Sequence, residues 1–126
     1  MNNIDKSTYQ ALFNQIIGTI NSSRFKAFKA VNKHLILLNF EVGKLIVESQ
    51  DKNNWGKSIV DTLSKDINKI IDGKKGYSPQ NLWNMRQFYL EYKDESDLLE
   101  LALEIPWGHN MLIIHKIKDK AEKTYY

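Results

Sequence analysis

The side chains in this sequence that are suited to bind a transition metal are carboxylates and three histidines, His34, His109 and His115, because the chain has no cysteine. His109 and His115 lie six residues apart, which puts them on different faces of a helix. No H-x-x-x-H pair occurs either, so we expect no zinc site. The glycines and lysines of residues 72–76 lack the spacing of a phosphate-binding loop. We therefore expect neither a metal nor another cofactor.

A second group with chemical potential is Glu91-Tyr92-Lys93, which matches the E-x-K ending of the PD-(D/E)xK signature. That chemistry requires carboxylates and a lysine at the ends of adjacent strands, where they converge on a metal ion. Here no Pro-Asp pair precedes the tripeptide, and the apolar periodicity predicts that it ends a helix. We interpret the match as coincidence and predict no catalytic residue, so the chain is expected to bind rather than to catalyse.

A row of amide side chains is the stronger candidate for a binding site. Residues 78–92 are predicted to form a helix, with Ser78 as its N-cap and Pro79 in its first turn. One face of this helix is apolar, and the opposite face carries Gln80, Asn84 and Gln87 together with Glu91. Glutamine and asparagine are the side chains that pair with adenine edges in DNA. The row is either a DNA contact or an ordinary solvated surface.

Basic residues extend this predicted DNA site. Lys74 and Lys75 lie in the loop before the helix, where they are expected to contact phosphates beside Ser78 and Asn81 at the helix start. Lys26, Lys29 and Lys33 form a second basic surface that could follow a phosphate backbone. An acidic partner, such as the segment 91–104 of another copy, would suit these lysines equally well.

The elements that must position these residues are all helical. The periodicity predicts an all-α fold, a compact multi-helix domain with one long central helix and a helix-turn-helix-like pair. Residues 1–126 are expected to form one domain. The predicted helices cover residues 8–21, capped by Ser7, and residues 23–49, 56–71, 78–92, 95–103, 108–116 and 119–125.

The longest predicted helix carries a heptad seam with 3-4-3-4-3 spacing. Its members are Phe28, Val31, Leu35, Leu38, Val42 and Leu45. The seam predicts either a helix buried against its neighbours or the interface of a homodimer. Asn32 and Asn39 lie seven residues apart beside the seam, and we expect them to fix the register of such a dimer.

The net charge of +3 is modest, but its distribution is uneven. No acidic residue occurs from Lys6 to Phe40, and six acids occur between Glu91 and Glu104. Such a division can create a basic face on a nearly neutral protein. The start of the chain has no signal-peptide pattern, and the longest apolar stretch, residues 35–38, is too short to cross a membrane. Together with the missing cysteines, these features favour a cytoplasmic protein.

Four stretches, in order along nearly the whole chain, resemble the N-terminal domain of YhcG-type proteins, a family once catalogued as a domain of unknown function. The most specific is the run from Gly76 to Tyr89, similar to the family's glycine-phenylalanine-serine-x-x-asparagine-leucine-x-x-methionine-arginine-x-phenylalanine-tyrosine motif. The others are residues 39–46, where Phe40 replaces the usual tryptophan, residues 55–67, and residues 105–110.

This resemblance implies a nuclease-associated role. In the family the domain precedes a C-terminal PD-(D/E)xK nuclease domain, which residues 1–126 do not include. The chain is then either a truncated piece or a stand-alone copy. We expect a non-catalytic DNA-binding accessory domain of a nuclease-type protein. The alternative is an oligomerisation or protein-interaction module that uses the heptad-patterned helix.

Overall fold

The computed structural model describes residues 5–71 and 76–125, with side chains described as far as residue 118. Within these ranges the chain has five helices and no strand, so the all-α prediction is confirmed. The helices are α1 (Lys6–Asn53), α2 (Ser58–Ile70), α3 (Pro79–Tyr92), α4 (Ser96–Ala102) and α5 (Trp107–Tyr125).

Two predicted helix breaks are wrong, because α1 and α5 each run through a segment that we expected to interrupt them. In α1 the segment is Asn21-Ser22-Ser23, whose residues each cost a helix less than about 1 kcal/mol relative to alanine. Without a proline or glycine there, the helix continues. The residues near Lys118, which we expected to separate two helices, likewise contain no helix breaker.

The first turn of α1 is capped two residues earlier than predicted. Asp5, rather than Ser7, is the capping residue: its Oδ1 accepts a hydrogen bond from the Ser7 backbone N–H at 3.1 Å. The Ser7 and Thr8 hydroxyls also donate to this carboxylate. These hydrogen bonds favour the charged carboxylate and lower the pKa of Asp5, the backbone N–H of Ser7 having the largest effect.

At its other end, α1 stops in a Schellman motif. Asn54 has a positive φ of 56°, and the backbone N–H of Trp55 donates to the carbonyl of Gln50 at 3.1 Å. Asparagine is the residue that most often replaces glycine in this left-handed position. The helix thus ends at Asn53, four residues after the predicted end at residue 49.

The chain divides into two units, an N-terminal unit (Met1–Val31) and a C-terminal unit (Asn32–Tyr126). In the N-terminal unit the described residues form the first part of α1, and every one of them is exposed. The buried residues all belong to the C-terminal unit. A single domain over residues 1–126 therefore stays a prediction.

The core of the C-terminal unit is built around α3, which contributes to two adjoining apolar clusters. Phe88 and Tyr92 belong to the first, with buried residues of α1, α4 and α5. Leu82 and Met85 belong to the second, with Ile46 of α1 and Val60 of α2. The predicted apolar face of α3 is therefore the buried one.

A glycine sets the contact between α1 and α3. A Cβ at Gly43 would overlap the backbone carbonyl oxygen of Met85, so only glycine allows the two helices to approach this closely. The α1 face around Gly43 is buried, and it includes Ile36, Asn39, Ile46, Val47 and Gln50.

Most of the heptad seam is exposed and only its Val42 packs against the core, so the interpretation of a seam buried against neighbouring helices is wrong. Leu35 and Leu38 are each 45% exposed, and Leu45 is 63% exposed. The asparagines beside the seam serve the chain's own fold. Asn39 is buried, and the side-chain amide of Asn32 donates to the carbonyl oxygens of Leu103 and Ile105. The expectation that they fix a dimer register is therefore also wrong.

Among the helices of the described residues, none combines the length and apolar character that crossing a membrane requires.

Candidate functional site

The start of α3 is fixed by local signals that the sequence predicts. Ser78 is the N-cap, and its hydroxyl accepts a hydrogen bond from the backbone N–H of Asn81 at 3.1 Å. Pro79 occupies the first turn, where a missing N–H has no cost. Gly76 precedes them with a φ of +126°, a conformation that L side chains rarely adopt. These residues determine where α3 begins, and therefore which positions form its polar face.

Asn81 connects this helix start with α5. Its amide donates to the backbone carbonyl of Gly76 at 2.6 Å. Its Oδ1 accepts from the indole N–H of Trp107 at 2.8 Å. The Trp107 ring in turn packs edge-on against Phe88 in the core. Asn81 therefore uses its amide within the fold, and it links the loop, α3 and α5.

Polar contacts also hold the residues before α3 to α2. The hydroxyl of Ser64, a buried residue on α2, donates to the carbonyl of Tyr77 at 2.7 Å. The Asn68 amide donates to the same carbonyl at 3.3 Å. These bonds join α2 and α3 into a packed pair. The predicted phosphate contacts Lys74 and Lys75 lie outside the described residues.

Three of the predicted site residues come together along one groove. Gln80, Asn84 and Gln87 line a groove of about 470 Å³ between α3 and α5. The Gln80 amide donates to Asn84 Oδ1 at 3.1 Å, so the two side chains are ordered as a pair. Gln80 is exposed, whereas Asn84 and Gln87 are half-buried. The groove therefore presents amide donors and acceptors from one wall, and they are most accessible near the start of α3.

The opposite wall comes from α5, whose contribution was not predicted. It consists of Ile114, His115, Ile117 and Lys118. Trp83, Leu90 and Glu91 complete the lining from α3. The pairing of α3 with α5 depends on contacts between residues far apart in sequence, so no local sequence pattern predicts it.

Two cationic side chains contact the indole ring of Trp83. The guanidinium carbon of Arg86 lies 4.7 Å from the ring centroid, and the Lys57 ammonium lies 5.5 Å from it. Arg86 Nε also donates to Gln50 Oε1 at 2.6 Å. Arg86 therefore packs over an aromatic ring and hydrogen-bonds to a side-chain amide. Positive charge is thus held beside the groove.

The Glu91-Tyr92-Lys93 tripeptide ends α3, as predicted. Tyr92 is buried, and burial raises the pKa of its phenol, with a smaller contribution from the Glu91 charge. Within the part of the chain that the structure describes, no group of three or more His, Asp or Glu side chains could hold a metal ion. Glu91 instead lines the far end of the groove.

The predicted basic surface on α1 is exposed in full, but its residues belong to both units. Lys26 and Lys29 lie in the N-terminal unit, where the Lys29 ammonium is 5.6 Å from the Phe25 ring centroid. Lys33 lies in the C-terminal unit, as do the amides of α3.

The residues after α4 hold α5 in place. Asn110 is fully buried, and its amide donates to the carbonyls of Ala102 at 3.0 Å and Ile105 at 3.2 Å. Its neighbour His109 is exposed. The single sequence contains no pattern that predicts the burial of Asn110 next to an exposed His109.

Comparison with known proteins agrees with the resemblance found in the motifs. The chain is 32% identical over 89 residues to an Escherichia coli (strain K12) protein named "Putative nuclease YhcG". The alignment covers 68% of this chain and 23% of that protein. No solved structure matches the chain. The model of the DUF1016 N-terminal domain matches residues 15–126, and the chain therefore belongs to this nuclease-associated, YhcG-type family.

Proposed function

We propose that the chain is a non-catalytic DNA-binding module of a nuclease-type protein and that it acts in the cytoplasm. The observation that carries the proposal is the row of Gln80, Asn84 and Gln87 along one groove of the C-terminal unit. Similarity to a protein named as a nuclease supports DNA as the ligand. In this proposal, α2 and α3 act as a helix-turn-helix-like pair.

The geometry of the groove favours contact at the start of α3. Gln80 is exposed there, and the amides deeper along the helix are less accessible. A glutamine or asparagine amide offers one donor and one acceptor side by side, which matches the edge of adenine. Bases would therefore reach Gln80 and Asn84 first, while Gln87 contributes from the deeper part of the groove.

Charge around the groove favours the same end. Arg86 and Lys57 lie over Trp83, in the first two turns of α3. Glu91 lies at the far end, where it would repel a phosphate. The predicted loop contacts Lys74 and Lys75 come just before Ser78 in the chain. The phosphate backbone would thus cross near the start of α3.

A fluorescence-anisotropy titration with duplex and branched DNA tests the amide row. We expect Gln80→Ala combined with Asn84→Ala to weaken binding by roughly thirtyfold or more, because two base contacts are lost and each good one contributes about 1–3 kcal/mol. Gln10→Ala combined with Asn14→Ala is the matched control, since these two side chains form the same kind of amide pair on the N-terminal unit. Equal affinities for all three proteins would contradict the proposal.

The lysines are tested by the salt dependence of the same binding. Replacing Lys26, Lys29 and Lys33 with alanine should make the plot of log affinity against log salt shallower by about 3, if each contacts a phosphate. The double variant Lys74→Ala/Lys75→Ala should make it shallower by about 2. Replacing three exposed lysines elsewhere, Lys52, Lys65 and Lys69, removes the same charge and should leave the slope nearly unchanged. Identical slopes for the lysine variants would remove these residues from the interface.

A second candidate function is homodimerisation through the heptad seam. Its support is the exposure of the seam: Phe28 and Val31 are 63% and 67% exposed in the N-terminal unit, and Leu35, Leu38 and Leu45 are exposed in the C-terminal unit. Val42 is half-buried and lines an apolar cavity with Leu45. Leu38→Glu should abolish such a dimer in light scattering while circular dichroism stays unchanged. A monomer at all concentrations would exclude this candidate.

A further inference from the structure

The N-terminal unit exposes an apolar stripe along its whole length. Six of its large apolar side chains, between Tyr9 and Ile20, are 40% to 53% exposed, and Phe28 and Val31 continue the row. At 3.6 residues per turn, these side chains lie within roughly 160° of the helix circumference. The stripe consists of Tyr9, Leu12, Phe13, Ile16, Ile17, Ile20, Phe28 and Val31.

The spacing within the stripe is that of a helix-pairing face. Tyr9, Phe13, Ile16 and Ile20 follow a 4-3-4 pattern, which is the spacing of core positions in a coiled coil. Leu12 and Ile17 flank them and widen the apolar face. At these exposed fractions, the eight residues have a solvent-accessible surface on the order of 800 Å² per copy. That area equals one partner's share of a standard protein–protein interface.

The charge pattern indicates what covers this stripe. From Ser7 to Ser23 the helix carries no charged residue, so two copies can approach along it without repulsion. An amphipathic helix that lies on a lipid surface typically carries lysine and arginine on its polar face. Here that face carries Asn14, Gln15 and Ser22 instead. The pattern therefore favours a second copy of the chain over a lipid surface.

We propose that the stripe pairs with the stripe of a second copy in an antiparallel arrangement centred near Ile20. Arg24 lies within the stripe, between Ile20 and Phe28. In a parallel pair in register, the two Arg24 side chains would face each other. An antiparallel pair centred on Ile20 separates them by about 12 Å along the axis, because each residue rises 1.5 Å. This assembly is independent of the proposed DNA binding, and it uses the N-terminal unit alone.

Sedimentation equilibrium of the full chain tests the pairing. We expect a concentration-dependent dimer. Ile20→Glu brings two like charges together at the centre, and it should raise the dimer dissociation constant about a hundredfold or more. Ser22→Glu adds the same charge on the opposite side of the helix and should leave the dimer intact. Circular dichroism checks that both variants keep their helical content.

Two results would overturn the pairing. The first is a chain that stays monomeric at every concentration. The second is equal dissociation constants for Ile20→Glu and Ser22→Glu. Binding of the monomeric chain to vesicles of phosphatidylcholine and phosphatidylglycerol would assign the stripe to a lipid surface instead.

Engineered cysteines test the orientation, because the chain has no cysteine of its own. In the antiparallel arrangement position 13 of one copy faces position 27 of the other, so a mixture of Phe13→Cys and Ala27→Cys should form a disulfide-linked heterodimer. Phe13→Cys alone should remain unlinked, since its two sulfur atoms would be too far apart. Efficient linking of Phe13→Cys with itself would show a parallel pair and overturn the orientation.

Discussion

The two units of the chain place polar and apolar side chains in opposite ways. Among the described residues, the C-terminal unit buries the polar side chains of Asn39, Gln50, Ser64 and Asn110, and each of the last three donates or accepts within the unit. Residues 5–31 of the N-terminal unit are all exposed, and they include a row of isoleucines and aromatic rings. One unit is therefore stabilised by its own core, whereas the described residues of the other depend on helix propensity, local hydrogen bonds and the Asp5 cap.

The largest expected effect concerns the α1–α3 contact in the C-terminal unit. Gly43→Ala should lower the free energy of unfolding by roughly 3 kcal/mol or more, because the new methyl group overlaps the Met85 carbonyl and the two helices must separate. Urea denaturation followed by tryptophan fluorescence measures the loss.

The matched control is Gly108→Ala, since a Cβ at Gly108 meets nothing within 4 Å. That variant should keep or slightly raise the stability, because alanine favours a helix over glycine by up to about 1 kcal/mol. Equal midpoints for the two alanine variants would mean that the close approach at Gly43 does not support the core.

A smaller effect is expected where α5 meets the start of α3. Trp107→Phe keeps an aromatic ring against Phe88 but removes the indole N–H that donates to Asn81. We expect a loss of about 1–2 kcal/mol, because a half-buried amide oxygen loses its partner. A double-mutant cycle with Asn81→Ala should show coupling between the two residues. Fully additive losses would show that the hydrogen bond contributes nothing to stability.

The smallest expected effect is a pH dependence of helix stability at the start of the N-terminal unit. The backbone N–H of Ser7 holds the folded-state pKa of Asp5 below its ordinary value, so the cap contributes fully to helix stability above that ordinary value. This stabilisation is lost as the pH falls through the lowered folded-state pKa. The amide resonances of Ser7 and Thr8 should report the loss by NMR.

Asp5→Asn supplies the control for this titration. Asparagine caps a helix about as well as aspartate but does not titrate in this range. The pH-dependent change at Ser7 and Thr8 should therefore disappear in the variant. An unchanged titration in Asp5→Asn would assign the pH response to another carboxylate.

Local signals explain which parts of the fold were predictable. Gly76, Ser78 and Pro79 determine the start of α3 through their own backbone preferences, and the sequence predicts that start correctly. The break expected at residues 21–23 is wrong because asparagine and serine disfavour a helix only weakly. The seam of α1 is not its buried face, because the buried face is set by Gly43 against Met85, a contact between distant residues.

The candidate site also has a part that the sequence predicts and a part that it does not. Its amide row on α3 follows from helical periodicity, so the sequence predicts that Gln80, Asn84 and Gln87 share a face. The α5 wall at Ile114 and Lys118 depends on how two helices pack, for which a single sequence has no local signal. Asn81 likewise looks like a surface amide in the sequence, although its structural partner is the indole of Trp107.

The most direct test of the account is an NMR titration of the labelled full chain with duplex DNA, followed at the side-chain amides. We predict that the NH₂ resonances of Gln80, Asn84 and Gln87 shift together on binding, while those of Gln10 and Asn14 in the N-terminal unit do not. Shifts confined to Gln10 and Asn14, or no shifts at low salt, would contradict the claim that the α3 groove contacts DNA.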